Sequence, residues 1–265
     1  MDGIAQRWFV RLPAGLLALD CVLALAAFLA VALSWYAGIA ATVVLALALV
    51  AASVAWRAWS LSWAALIALP AGVICGMELA DYSSLARGEI ASVASPGEVA
   101  GREQATGFVF ERAAVRSELR AVYRHSSRTR SGQPATVTWF YAAPLVPDGW
   151  TSADPVPAWA VCRDERCRAD WELPLRAAIR PPQRYAEEHR TVVAEAQASH
   201  GLISTSDAPA LVWVASPAEA IAGQLASFWL AVKIWNGVFL AGWAGFAVWR
   251  ALRRSPPGAS ATAGA

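Results

Sequence analysis

The chain has 265 residues, 57% of them hydrophobic and 16% charged, with a formal net charge of +2 and a mean hydropathy of +0.41. Low hydrophobicity and high net charge, the mark of disorder, are both absent. The charge balance also lacks the basic excess that neutralises phosphates, so no nucleic-acid partner is expected. Apolar runs too long for globular strands or helices point to a membrane protein whose first partner is the lipid bilayer.

Residues 1–11 form a short N-terminal segment that carries Arg7 and Arg11. From residue 12 to residue 77 the only charges are Asp20 and Arg57. Two interruptions divide this stretch: Trp35-Tyr36-Ala37-Gly38, and Trp56-Arg57-Ala58-Trp59. Indoles favour the membrane–water boundary, so both interruptions read as surface turns. The predicted transmembrane helices are residues 12–34, 39–55 and 61–77, each suited to a hydrocarbon core of about 30 Å. A basic start and Ala30-Val31-Ala32 would also fit a cleaved signal peptide. Against that, the apolar run exceeds the usual h-region of about 7–15 residues, and another span follows at once.

Residues 78–220 carry 15 arginines against 18 acids and are long enough to bury a core of their own. Val137, Trp139 and Tyr141 alternate with Thr136, Thr138 and Phe140, which predicts a strand that Pro144 and Pro147 should end. Residues 107–110 and 211–214 read as further short strands. Ser131-Gly132-Gln133-Pro134 is a turn signal. Before it, Arg112, Arg116, Arg120, Arg124 and Arg128 recur every fourth residue, a spacing that keeps them near one face of either a helix or a strand. The turn and the strand after it favour a hairpin. The stripe offers a face for an acidic partner or lipid headgroups, and equally reads as a solvated face balanced by Glu111 and Glu118.

Pro181-Pro182 and Gly201 bracket a predicted helix whose buried face is Tyr185, His189, Val192, Val193 and Ala196. A fourth transmembrane helix is predicted over residues 221–249, followed by a disordered tail over 250–265. Arg7, Arg11, Arg57, Arg250, Arg253 and Arg254 then share one side, which positive charge marks as cytoplasmic. The expected fold is membrane α-helical, with four transmembrane helices and an inserted extracytoplasmic α+β domain over 78–220. That domain would combine an antiparallel sheet with at least one helix. The expected location is a cell inner membrane, multi-pass, with both termini cytoplasmic and residues 78–220 periplasmic.

Three groups of residues could carry chemistry. Cys162 and Cys167 flank four residues and could face each other across the base of a hairpin. An extracytoplasmic position favours a structural disulfide; free thiols, or a metal or redox pair, are the alternatives. Tyr185-Ala186-Glu187-Glu188-His189 approaches H-x-x-E-H, but tyrosine stands at the first ligand position, which favours a packed core histidine. His125 and His200 have no evident metal-binding companions. No catalytic, cofactor-binding or metal motif occurs, so neither a cofactor nor an enzymatic activity is expected.

In the membrane segments, Lys233 and Asn236 are the only lysine and asparagine of the chain and share a helix face. Gly237, Ala241 and Gly245 continue that face as a small-residue packing stripe. Asp20 is the third intramembrane polar group, and such groups are functional candidates by default. Depth along the helices argues against an Asp20–Lys233 pair and favours a snorkelling Lys233. Together these features predict an accessory, scaffold or sensor-like component of an envelope complex. Its outer domain would bind a protein partner, or the chain would self-associate as a homo-oligomer. The alternative is a small transporter or membrane-embedded enzyme subunit using Asp20, Lys233 and Asn236.

Overall fold

Alanine, leucine and valine dominate the first 80 residues, and such sequence favours helix wherever glycine and proline do not interrupt it. The computed structural model describes residues 2–32, 35–55, 59–127 and 136–254. Three helices come first, α1 (Asp2–Ala32), α2 (Trp35–Ala55) and α3 (Trp59–Ala86). Strands β1 (Glu89–Val93), β2 (Ala105–Phe110), β3 (Ala114–Val115), β4 (Ala121–Ser127), β5 (Thr136–Val146) and β6 (Ala158–Arg163) follow. The chain continues through α4 (Glu165–Ala169), β7 (Ala177–Ile179), α5 (Ala186–His200), β8 (Ala210–Val214) and the long α6 (Pro217–Arg254). Two compact units result: a helical unit, drawn from the described residues up to Ala80 and from Leu225 onward, and a sheet domain, Asp81–Gln224.

The expected four spans require correction. Among the described residues, two helices are long and apolar enough to cross a membrane, Leu61–Ala86 and Pro217–Trp249. The other two apolar stretches, Pro13–Leu29 and Gly38–Val54, are shorter over the described residues, at 17 residues each.

Polar contacts link the helices of the first unit. Ser53 and Ser62 join α2 to α3, with their hydroxyls 2.5 Å apart. Gly72 lies so close to Thr42 that a Cβ there would sit 2.6 Å from the threonine methyl. The Trp63 indole donates to the Phe239 carbonyl at 3.3 Å, joining α3 to α6. In a lipid environment, where burial of apolar surface drives little association, such contacts and close backbone approaches set the packing.

The second unit is built on an eight-stranded sheet in the order β1-β2-β7-β8-β6-β5-β3, with β4 also paired to β5. It is mixed, not the antiparallel sheet expected, because β1 runs parallel to β2 and β6 parallel to β8. Parallel neighbours need a long return, and the chain between β6 and β8 supplies one through β7 and α5. Pro144 does not end β5. It lies opposite Trp159, whose N–H instead bonds the Pro209 carbonyl at 2.9 Å. Pro144 and Trp159 therefore form a non-hydrogen-bonded pair, and the missing proline N–H faces away from β6. There it meets the break between β4, which pairs up to Ala142, and β3, which starts opposite Leu145.

Strand alternation sends Tyr141, Ala143 and Leu145 to one core with Phe108, Phe110 and Trp213. Phe140, Ala142 and Trp159 join a second core, under Val192 and Ala196 of α5. Helix α5 begins after a 3-10 turn at Gln183–Tyr185, and Gly201 caps its end with φ +65°. A left-handed cap satisfies terminal carbonyls, and only glycine adopts it without a Cβ clash. Gly201→Ala is expected to destabilise the end of α5 by about 1 kcal/mol. Hydrogen exchange of the last-turn amides will check this, since unchanged protection would mean that the cap contributes nothing.

Candidate functional site

The structure brings together two of the three polar residues that the sequence suggested as intramembrane candidates. Asn236 of α6 donates through Nδ2 to Asp20 Oδ1 of α1 at 3.1 Å, while its own Oδ1 is buried with no hydrogen-bond partner among the described residues. Lys233 lies one turn nearer the start of α6 and is exposed, with no hydrogen bond or ion pair among the described residues. Depth along the helices explains the choice, because Asn236 is three residues closer than Lys233 to the level of Asp20. Gly237 and Gly245 have open space where a Cβ would stand, and Ala241 is exposed, so the stripe does not serve packing within the chain. The glycine used there is Gly242, where a Cβ would lie 2.1 Å from the Trp63 ring.

The arginine segment of the sheet domain is not one regular element. Arg112 and Arg116 flank β3, Arg120 follows a 3-10 turn, and Arg124 lies in β4; Arg128 is outside the described residues. Arg116 approaches Glu118 at 3.6 Å. Arg124 pairs across the strands with Trp139, its guanidinium 5.9 Å from the indole centroid. Val122 is on the same face, opposite Tyr141. Trp139 is 43% exposed and Val122 42%, so the end of this sheet face presents apolar surface beside cationic groups. Residues 131–134, expected as the hairpin turn, are also outside the described residues.

Cys162, on β6, is disulfide-bonded, whereas Cys21 and Cys75 are free. The side chain of Cys167, the partner expected from spacing, is outside the described residues. The expected hairpin between them does not form. After β6 the chain turns at Asp164, with φ +77°, straight into α4, and the neighbours of β6 are β5 and β8.

Position 189 falls on the buried face of α5, and the packing there determines its chemistry. His189 is 3% exposed, with its ring 5.8 Å from Phe140 and 6.2 Å from Tyr185. Tyr185 accepts a hydrogen bond from Arg163, whose guanidinium also lies over its ring. Burial lowers the His189 pKa to about 4, against a smaller upward pull from Glu188, so the imidazole is neutral near pH 7. Its Nδ1 is buried without a hydrogen-bond partner among the described residues. Beside it opens a cavity of about 290 Å³, walled by Trp159, Pro181, Pro182, Val193 and Ala210 among others. Sequence reasoning placed His189 on the helix face but missed this cavity, whose walls come from four separate segments.

His200 bonds the Arg120 carbonyl at 3.2 Å, and His125 packs edge-on to Tyr123. Among the described residues, no three His, Cys, Asp or Glu side chains gather as a metal site. No protein-family model, curated protein or solved structure matches the chain.

The His189 environment has a pH consequence. The folded pKa is depressed below the ordinary 6.5, so the unfolded state takes up the proton first as pH falls. The associated stability is fully present above about pH 6.5 and is lost progressively towards pH 4. His189→Phe is therefore expected to remove a pH dependence on the order of 3 kcal/mol between these limits. Denaturant unfolding of both proteins at pH 7 and pH 4.5 will measure it, and parallel pH profiles would refute the assignment.

Proposed function

We propose that the chain is an integral membrane protein that carries its sheet domain on the extracytoplasmic side and uses it to hold a protein partner, as an accessory or scaffold component of an envelope complex. The observation that carries the partner reading is the exposed Arg124–Trp139 pair, with Val122 beside it, at the end of the sheet face. Tryptophan, tyrosine and arginine dominate the energetics of protein interfaces, and an exposed apolar patch bordered by cations suits a segment carrying both acidic and apolar side chains.

Lipid exposure is supported by the outward faces of the helical unit. Leu17, Val44, Leu47, Val54, Leu66 and Ile234 are each more than half exposed, a surface that water would disfavour and hydrocarbon would accept. Orientation rests on the arginines that flank the two candidate spans. Arg57 precedes Leu61–Ala86, and Arg250, Arg253 and Arg254 follow the apolar part of α6, which assigns those ends to the cytoplasmic side. An inner membrane is the location this reading favours. The open Gly237–Ala241–Gly245 face of α6 supports association with a second copy or with a partner helix. The bond from Asn236 to Asp20 supports a packing role for these two residues rather than transport.

A photo-crosslinking residue at Val122 tests the partner reading in intact membranes, with the same residue at Ile203, 72% exposed, as reference. One discrete protein adduct is expected from position 122, absent from position 203 and lost when Arg124→Glu is added. Identical products from both positions, or no adduct at 122, would overturn it.

A further inference from the structure

We infer that the partner is held as an added β-strand on the free edge of β4, by an extended segment that sets an acidic side chain beside Arg124 and an apolar one beside Val122. This mode of binding rests on the partner role proposed for the Arg124–Trp139 face. The direction of the backbone groups carries it. The Pro144 carbonyl accepts from the Arg116 N–H at 2.9 Å, and the Trp139 carbonyl accepts from the Asp164 N–H at 3.0 Å. Even-numbered residues of β5 therefore turn their backbone groups towards β3 and β4, and odd-numbered ones towards β6. Ala121, Tyr123 and His125 lie opposite Ala142, Phe140 and Thr138 and take up those groups. Val122, Arg124 and Ser126 then turn their N–H and C=O groups the other way. β4 pairs with β5 alone, so these groups have no strand partner among the described residues.

Sheet edges are normally blunted by proline, a bulge, short length or charge. β4 is seven residues long, contains no proline, and keeps an unbroken register against β5. Its one arginine stands beside exposed Val122 and Trp139, which invite contact instead of preventing it. Charge selects the occupant. Residues 119–135 hold Arg120, Arg124, Arg128 and Arg130 and no acid, within a domain whose acids outnumber its arginines. A second copy presenting the same strand would set arginines against arginines, whereas an acidic strand neutralises them. Lipid phosphates match the charge but not the donors and acceptors that recur at every second residue.

The test titrates the full chain, in nanodiscs of zwitterionic lipid, with a capped nine-residue peptide of alternating glutamate and valine. Amide hydrogen exchange is followed by NMR. The amides of Val122, Arg124 and Ser126 are expected to slow saturably by about tenfold or more, with Tyr123 and His125 unchanged because β5 already holds them. Ser126→Pro removes one outward N–H and leaves the β5 ladder intact, so it should weaken binding about fivefold or more relative to Ser126→Ala. A fully N-methylated peptide of the same sequence should leave the three amides unprotected. Unslowed amides with the plain peptide, equal binding of the N-methylated one, or the same slowing from anionic lipid without peptide would overturn strand addition. A discrete crosslink from position 122 without slowed amides would sink strand addition and leave the partner role standing, whereas absence of the crosslink would remove both. If Ser126→Pro fails to fold, the two peptides decide.

Discussion

The sheet domain depends on one strand being shared. β5 pairs with β6 along one edge and with both β4 and β3 along the other, so three neighbours take their register from it. Its alternating side chains also serve two cores at once, Tyr141, Ala143 and Leu145 on one side and Phe140 and Ala142 on the other. A one-residue slip would exchange the two sets and place aromatic rings where alanines now pack, so the register is strongly specified. Pro144 reinforces this. Its missing donor is harmless only in the present register, where it faces the break between β4 and β3.

Helix α5 completes the second core, and His189 gains its character there. Ordinary histidine is poised to titrate near neutral pH, but in contact with Phe140 and Tyr185 it stays neutral well into the acid range. The same burial that holds the imidazole neutral leaves Nδ1 without water. A single packing environment therefore produces both the pH-dependent stability and the unmet hydrogen-bonding capacity.

Some of this was legible in the chain. Alternation over 136–141 identified β5, because β-branched and aromatic residues at period two leave few other readings. Gly201 marked the end of α5, and the positions of His189, Val192 and Ala196 marked its inner face. The four expected spans were not all matched, since two helices among the described residues have the length and composition to cross a membrane. The mixed pairing was hidden too, because β6 and β8 are brought together only by a long return. The cavity beside His189 joins residues from four separate segments, so it leaves no local pattern.

The hydrogen bond between Asn236 and Asp20 spans 216 positions of sequence. At about 5–20 residues per second, a ribosome needs roughly 10–40 s to make the chain between them. During that interval the Asp20 side chain of α1 exists without the amide that later engages it, while the sheet domain is being synthesised. This tie between the first and last helices of the helical unit is thus among the last contacts the growing chain can make.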